Sequence, residues 1–424
     1  MRLTFYKYKS LQFTLAYYIL LSILNFNYII HANSFVYVAY NTESVFEFLP
    51  YRFFFVTTII LINCIVLSFH KISDFAYSVL LLILIFFVIP AGLIYASNRI
   101  ILSDIFIFNN LLFYVSGLFL SIKVNIPTPV INGGQAAQLL ISITAVGIIP
   151  FIYLYAPYIN LKNLLLIDVY ETRALVTENV DNTYTAYTYS WYSKIILPII
   201  LVFFIHFKSR LGLIISFGFL MFFYLCGAHK TVFLGTFAVL VFYRYDYLKK
   251  TYFLLKVLCT IAVLGLLLQL FFNWDYFWTI TLNRIFMLNA LLDYCFFDFF
   301  RDKPIYWADS FLASSIQYPY ELMPSHLIGK EYLSNPNVNA NSGIIANGYK
   351  NAGIIGVLIN IVFVSIYLGM LNSFRISPKF YGLFIVLIFT FTNASLTGSI
   401  LTHGLLILFV VSMFVLRNTK YSLT

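Results

Sequence analysis

Uncharged apolar runs recur along the whole chain, and VLLLILIFFVI at 79–89 is one of many. Each belongs to a stretch long enough to cross the ~30 Å hydrocarbon layer of a bilayer. Only 10% of the 424 residues are charged, where a soluble domain carries about a quarter. A chain built this way takes the membrane as its solvent, so the expected fold class is an all-α, polytopic integral membrane protein. The aromatic share of 20% reads first as interfacial belts and lipid-facing packing.

Apolar runs bounded by charges predict about twelve transmembrane helices, at 11–31, 53–69, 75–97, 105–122, 136–156, 195–207, 211–226, 231–247, 251–272, 353–371, 380–395 and 400–416. Short cytoplasmic loops retain Lys and Arg. With both termini cytoplasmic, fourteen of the 26 basic residues fall in short inner segments, among them Lys7, Lys71, Lys208 and Arg375. Two long outer loops remain, 157–193 and 273–352, within one membrane domain covering 1–424. The N-terminal run follows Arg2, Lys7 and Lys9, and IIHAN offers a cleavage site after Ala32. The many later spans favour a signal anchor.

Several chemistries are missing from the sequence. No phosphate-binding G-x-x-x-x-G-K-[ST] occurs: in SHLIGKEY the hydroxyl position holds Glu331 and the first glycine position holds Pro324. H-E-x-x-H, a dinucleotide-binding glycine motif, C-x-x-C and a close aspartate pair for a metal diphosphate are also absent. Cys64, Cys226, Cys259 and Cys295 are too far apart to suggest a disulfide framework or zinc cluster. No cofactor, metal or nucleic-acid partner is expected. Chemistry on a diphosphate would have to rely on protein cations.

Those cations lie in the outer loops. Arg173 sits among Asp168, Glu171, Glu178 and Asp181, and either binds a ligand or balances its acidic neighbours. NRIFMLNALLDYCFFDFFRDKP carries Arg284, Asp293, Asp298 and Arg301 on a run too short and too charged to span, which predicts a helix lying in the outer interface. His326 and Lys330 follow, and Lys230 falls at an outer mouth between two spans, where it can reach a phosphate or snorkel to the interface. In NVNANSGIIANGYKNAGIIGVLIN at 337–360, Asn341, Asn347, Tyr349 and Lys350 read as the edge of a carbohydrate site, with amides for hydroxyls and a ring for a sugar face. The alternative is structural: asparagines capping a helix start, and Gly353 and Gly356 packing a helix against its neighbour.

The succession NRIFMLNALLDYCFFDFF, LIGKEYLS and ANSGIIANGYKNAGIIGVLIN resembles the bacterial O-antigen polymerases of the Wzy type, best over 284–360. Members often carry aspartate before Gly-Tyr, where this chain has Asn347. The resemblance implies a membrane glycosyltransferase in the bacterial inner membrane. It would polymerise undecaprenyl-diphosphate-linked oligosaccharide at the periplasmic face, beside a chain-length regulator and a flippase in the surrounding lipid. On that implication Arg173, Arg284 and Arg301 would stabilise the diphosphate leaving group, with Lys230 and Lys350 in support. Asp293, Asp298 and His326 would compete for the role of general base. An O-antigen ligase or a repeat-unit flippase would share much of this plan.

Overall fold

A computed structural model describes residues 2–31, 47–69, 71–98, 101–122, 124, 131–165, 167–228, 231–310 and 312–417. The helices in chain order are α1 (Arg2–His31), α2 (Pro50–Phe69), α3 (Asp74–Ala96), α4 (Asp104–Ser121), α5 (Gly133–Tyr158), α6 (Val169–Asn179), α7 (Thr183–His206) and α8 (Arg210–Gly227). They continue with α9 (Thr231–Val241), α10 (Tyr247–Phe272), α11 (Tyr276–Phe299), α12 (Pro324–Leu333), α13 (Ile344–Ser373), α14 (Tyr381–Asn393) and α15 (Leu405–Phe414). No strand occurs among the described residues. A helix bonds its backbone internally, which is what hydrocarbon demands.

Nine of these helices are long and apolar enough to cross a membrane: α2, α3, α4, α5, α7, α8, α10, α11 and α13. The chain is thus a polytopic, membrane-embedded helical protein. Two departures from the sequence expectation stand out. α7 begins well before the predicted span at 195, so the end of the expected loop 157–193 is already helix. α11 was expected as an interfacial element, yet it is a continuous 24-residue helix mostly buried in the protein. Charges at Lys194, Arg284, Asp293 and Asp298 interrupt the apolar runs in sequence, but a helix packed against protein passes through such residues.

The chain divides into two compact units: 1–123, 247–370 and 388–396 form the first, and 124–246, 371–387 and 397–424 the second. In the first unit α3 is the central element, with Phe75 to Ile94 buried almost throughout. Ser73 caps it by accepting from the Ala76 N–H at 3.1 Å. Polar pairs mark its two ends. Lys7 with Asp74 (3.8 Å) and Thr251 with Ser78 (2.8 Å) lie at one end; Asn25 with Ser97 (3.3 Å) and Asn27 with Gln269 (3.0 Å) lie at the other.

α11 starts and finishes at the second of these ends. It leaves the Gln269 turn, where the Asn273 N–H donates to the Gln269 carbonyl, and its last turn reaches Ile101 and Asp104, just beyond Ser97. Midway, the Phe286 ring meets Tyr17 and Phe86. Tyr17 lies eight residues along α1 from Asn25, so the middle of α11 dips roughly 12 Å into the unit at a rise of about 1.5 Å per residue. A nine-residue π-helical stretch, Thr279–Met287, occupies the bend. The helix is therefore sunk into the unit rather than laid on its surface.

α13 also folds back. Its backbone breaks at Ala352 (φ −147°) and Gly353 (φ +58°, ψ −142°). A Cβ on Gly356 would lie 2.1 Å from the Gly348 carbonyl oxygen, and Asn360 Nδ2 donates to the Ile344 carbonyl at 2.7 Å. Residues symmetric about the break touch, so 344–351 and the following helix form an antiparallel hairpin. The first arm is about 12 Å long. Small residues permit this approach, as they do between membrane helices.

Candidate functional site

Three separate segments of the first unit converge beside the hairpin. Ile101, Leu102, Asp104 and Ile105 from the start of α4, Tyr294, Phe297, Asp298 and Arg301 from the end of α11, and Tyr349 from the hairpin arm line an open recess. Tyr294 is anchored by donating to the Ala91 carbonyl at 3.1 Å. Phe297 stacks on Tyr349 with ring centroids 3.8 Å apart and planes 14° off parallel. Phe297 thus covers one face of that tyrosine.

The polar groups are ordered by their neighbours. Arg301 lies close enough to Tyr349 to interact with its hydroxyl electrostatically. Tyr332 donates to Asp298 Oδ2 at 2.7 Å, and its own ionisation is pushed up, first by burial and then by that carboxylate. Asp104 and Asp298 against Arg301 give the recess two carboxylates for one guanidinium. Such a lining suits hydroxyl-rich, neutral ligands better than a diphosphate, which two carboxylates would repel.

Asp298, Arg301 and Tyr349 line this one recess, but other expected site residues do not. Lys350 is turned inward and ion-paired with Asp309, with side chains only 7% and 12% exposed. Its backbone carbonyl accepts from Ile305 N–H, and that of Asn351 from Tyr306 N–H, which satisfies the end of the hairpin arm. Asn347 is buried and its Oδ1 accepts from the Leu396 N–H at 3.4 Å, so it braces the hairpin rather than facing a ligand. Asn341 and Lys330 are exposed. Those two remain accessible but do not line the recess.

Asp293, beside the recess residue Tyr294, is buried at 5% exposure. Its Oδ1 has no hydrogen-bond partner. Arg284 is exposed on the bend of α11 and takes no part in the recess. His326 rests on α12 with Nδ1 2.8 Å from the Pro336 carbonyl, a loop-pinning contact. Arg173 belongs to the second unit, where its Nη2 donates to the Ala228 carbonyl at 2.7 Å. Lys230 lies outside the described residues.

Asp104, Tyr332 and Asp309 were missed in sequence. An acid at the first position of a helix reads as a partner of the helix dipole, and nothing in spacing connects Asp104 to Arg301 almost two hundred residues away. Among the described residues no group of three His, Cys, Asp or Glu side chains is placed to hold a metal ion. No known family, curated protein or solved structure matches the chain.

Proposed function

We propose that the chain is a membrane glycosyltransferase that polymerises undecaprenyl-diphosphate-linked oligosaccharide repeat units into O-antigen or a related surface polysaccharide at the periplasmic face of the inner membrane. The observation that carries this reading is the recess itself: carboxylates, a guanidinium and an aromatic ring, supplied by three segments, opening at one end of a membrane-embedded unit. The likeness of 284–360 to Wzy-type polymerases supports it, because the recess draws Tyr294, Phe297, Asp298, Arg301 and Tyr349 from that stretch.

In this reading the recess holds the acceptor sugar. Asp298, held by Tyr332, takes the proton from the acceptor hydroxyl as its oxygen bonds to the anomeric carbon of the donor. The bond from that carbon to the diphosphate breaks, and the carrier diphosphate leaves with the electron pair. Arg301 and Tyr349 orient the acceptor, and Asp104 accepts from neighbouring hydroxyls. The test is the lipopolysaccharide profile of the native strain with the gene deleted, read beside its lipid-linked glycan. Core bearing one repeat unit, with the ladder gone, supports the polymerase. Core bearing no repeat, with lipid-linked polymer accumulating, replaces that reading with a ligase.

A repeat-unit flippase is the second reading, and one observation favours it: Lys194 lies midway along a membrane-length helix, where transporters keep charged substrate sites. Core bearing no repeat, with only lipid-linked monomer accumulating, would establish it in place of the transferase.

A further inference from the structure

Between α11 and α12 the backbone takes a conformation that side chains normally avoid, and it does so twice in succession. Tyr306 and Trp307 both hold positive φ, at 49° and 60°. In that region the Cβ of an L-residue crowds the following carbonyl, so it is visited mostly by glycine and otherwise by single small polar residues. Two bulky residues in a row persist only where the surroundings impose them. Here three hydrogen bonds tie the strap to the end of the hairpin arm 344–351. Ile305 N–H donates to the Lys350 carbonyl at 2.8 Å, Tyr306 N–H to the Asn351 carbonyl at 2.9 Å, and Trp307 N–H to Asn351 Oδ1 at 3.0 Å. Ile305 and Ala308, on either side of the pair, are buried at 1% and 3% exposure. Between these anchors Tyr306 is nevertheless 52% exposed.

The strap adjoins the recess by two routes. Arg301, which lines the recess, lies five residues upstream of Tyr306. Tyr349, which lines it too, precedes Asn351 by two residues on the helical arm, and Asn351 accepts from Tyr306. Backbone dimensions then hold the Cα atoms of Tyr349 and Tyr306 to no more than about 12 Å apart. Tyr349 already has one face covered by Phe297. Tyr306 is therefore an exposed aromatic side chain at the edge of a polar recess, held there by a backbone that costs stability. Strain of this kind is concentrated at ligand clamps.

We infer that Tyr306 forms a sugar-stacking subsite, which takes the face of the second sugar of the acceptor glycan while the first lies in the recess. This deepens the transferase reading and rests on it. A pyranose ring presents an apolar face of axial C–H groups, and tyrosine offers a rigid apolar surface at small entropy cost with a hydroxyl for the sugar's polar rim. The occupant is a glycan because the ring adjoins carboxylates, a guanidinium and a phenol, groups that pair with hydroxyls. A subsite one sugar away from the chemistry adds binding without taking part in bond making, so it sets which acceptor is held and how firmly.

The test uses the purified full chain in phosphatidylcholine nanodiscs and, as probe, the repeat-unit oligosaccharide freed by mild acid from the native strain's lipid-linked pool. Saturation-transfer NMR reads both the affinity and which sugar protons lie against the protein. Wild type is expected to saturate ring protons of two neighbouring sugars. Tyr306→Asn should weaken binding about tenfold and lose the saturation of the second sugar, while Tyr306→Phe keeps both. Asparagine suits positive φ better than tyrosine, so Tyr306→Asn should melt at the wild-type temperature or above it, where a merely structural tyrosine would leave a less stable protein. Binding unchanged in Tyr306→Asn overturns the subsite and leaves the transferase reading standing. If that variant also melts lower in nanodiscs but not in detergent, the ring is an interfacial anchor instead. A wild-type protein that binds no repeat-unit oligosaccharide overturns the subsite and the transferase reading together.

Discussion

Lys350→Met tests whether the lysine of the NGYK stretch recognises substrate or holds the hairpin. The ammonium pairs with Asp309, and both side chains are largely buried. Removing one member of a buried pair costs about 3–5 kcal/mol, because the other charge is left without compensation. Lys350→Met and Asp309→Asn should each destabilise by that order. The double variant should recover most of the loss, since replacing both partners of a buried pair is often close to neutral. A double-mutant cycle should therefore show a coupling of about 2 kcal/mol or more. Unfolding in mixed micelles with increasing SDS measures the stabilities, and the polysaccharide ladder in a complemented deletion strain measures function. On the structural reading the double variant regains both. A Lys350→Met protein that is fully stable yet makes no ladder, with the double variant equally inactive, would refute the reasoning and return Lys350 to the substrate.

The hairpin makes a sharper demand at Gly356, where Gly356→Val would drive a side chain into the Gly348 carbonyl; overpacking of this kind costs about 1–3 kcal/mol, and micelle unfolding should show at least that loss. Asp298→Asn and Arg301→Ala should each shorten or abolish the ladder while leaving the melting temperature within a few degrees, and an unchanged ladder from both would remove the recess from the chemistry. The Tyr332 hydroxyl has a folded pKa above its unfolded one, so it contributes stability in full below about pH 10 and loses it as pH rises through the folded value. Ultraviolet titration of wild type against Tyr332→Phe should show the removed tyrosine ionising above the ordinary tyrosine range, and ionisation at the ordinary value would overturn its buried setting beside Asp298. All four native cysteines are buried, which makes the unmodified chain a silent background for labelling. Asn341→Cys and Lys330→Cys should react with an impermeant maleimide from the periplasmic side, and labelling only from the cytoplasm would reverse the proposed orientation.

The fraction of the candidate site visible in the sequence depended on range. Asp298 and Arg301 are three residues apart on one helix end, so a helical reading of NRIFMLNALLDYCFFDFFRDKP already placed them together. Tyr349 reads separately in sequence, as the edge of a carbohydrate site, and only the fold brings it beside them. Asp104 and Tyr332 could not be found that way, because contacts across most of a chain leave no local spacing behind. Lys350 and Asn347 misled for a related reason: polar residues before a span suit a ligand or a packing contact equally well in sequence. Only the position of Asp309 and the Leu396 N–H decides between them.

By itself the sequence determined that this chain lives in a bilayer as helices, since uncharged runs of that length leave a backbone no other way to satisfy its hydrogen bonds in hydrocarbon. It also marked Gly353 and Gly356 as small residues suited to close helix packing. Tertiary structure decided where charge interrupts a helix and where it does not. Run-counting ends a span at a charged residue because lipid penalises one, but Lys194 and Asp293 face protein, and helices pass through them. The fold-back at Gly353 and the dip of α11 are likewise outcomes of packing. Both depend on which small residue meets which backbone, and that is fixed only when distant segments come together.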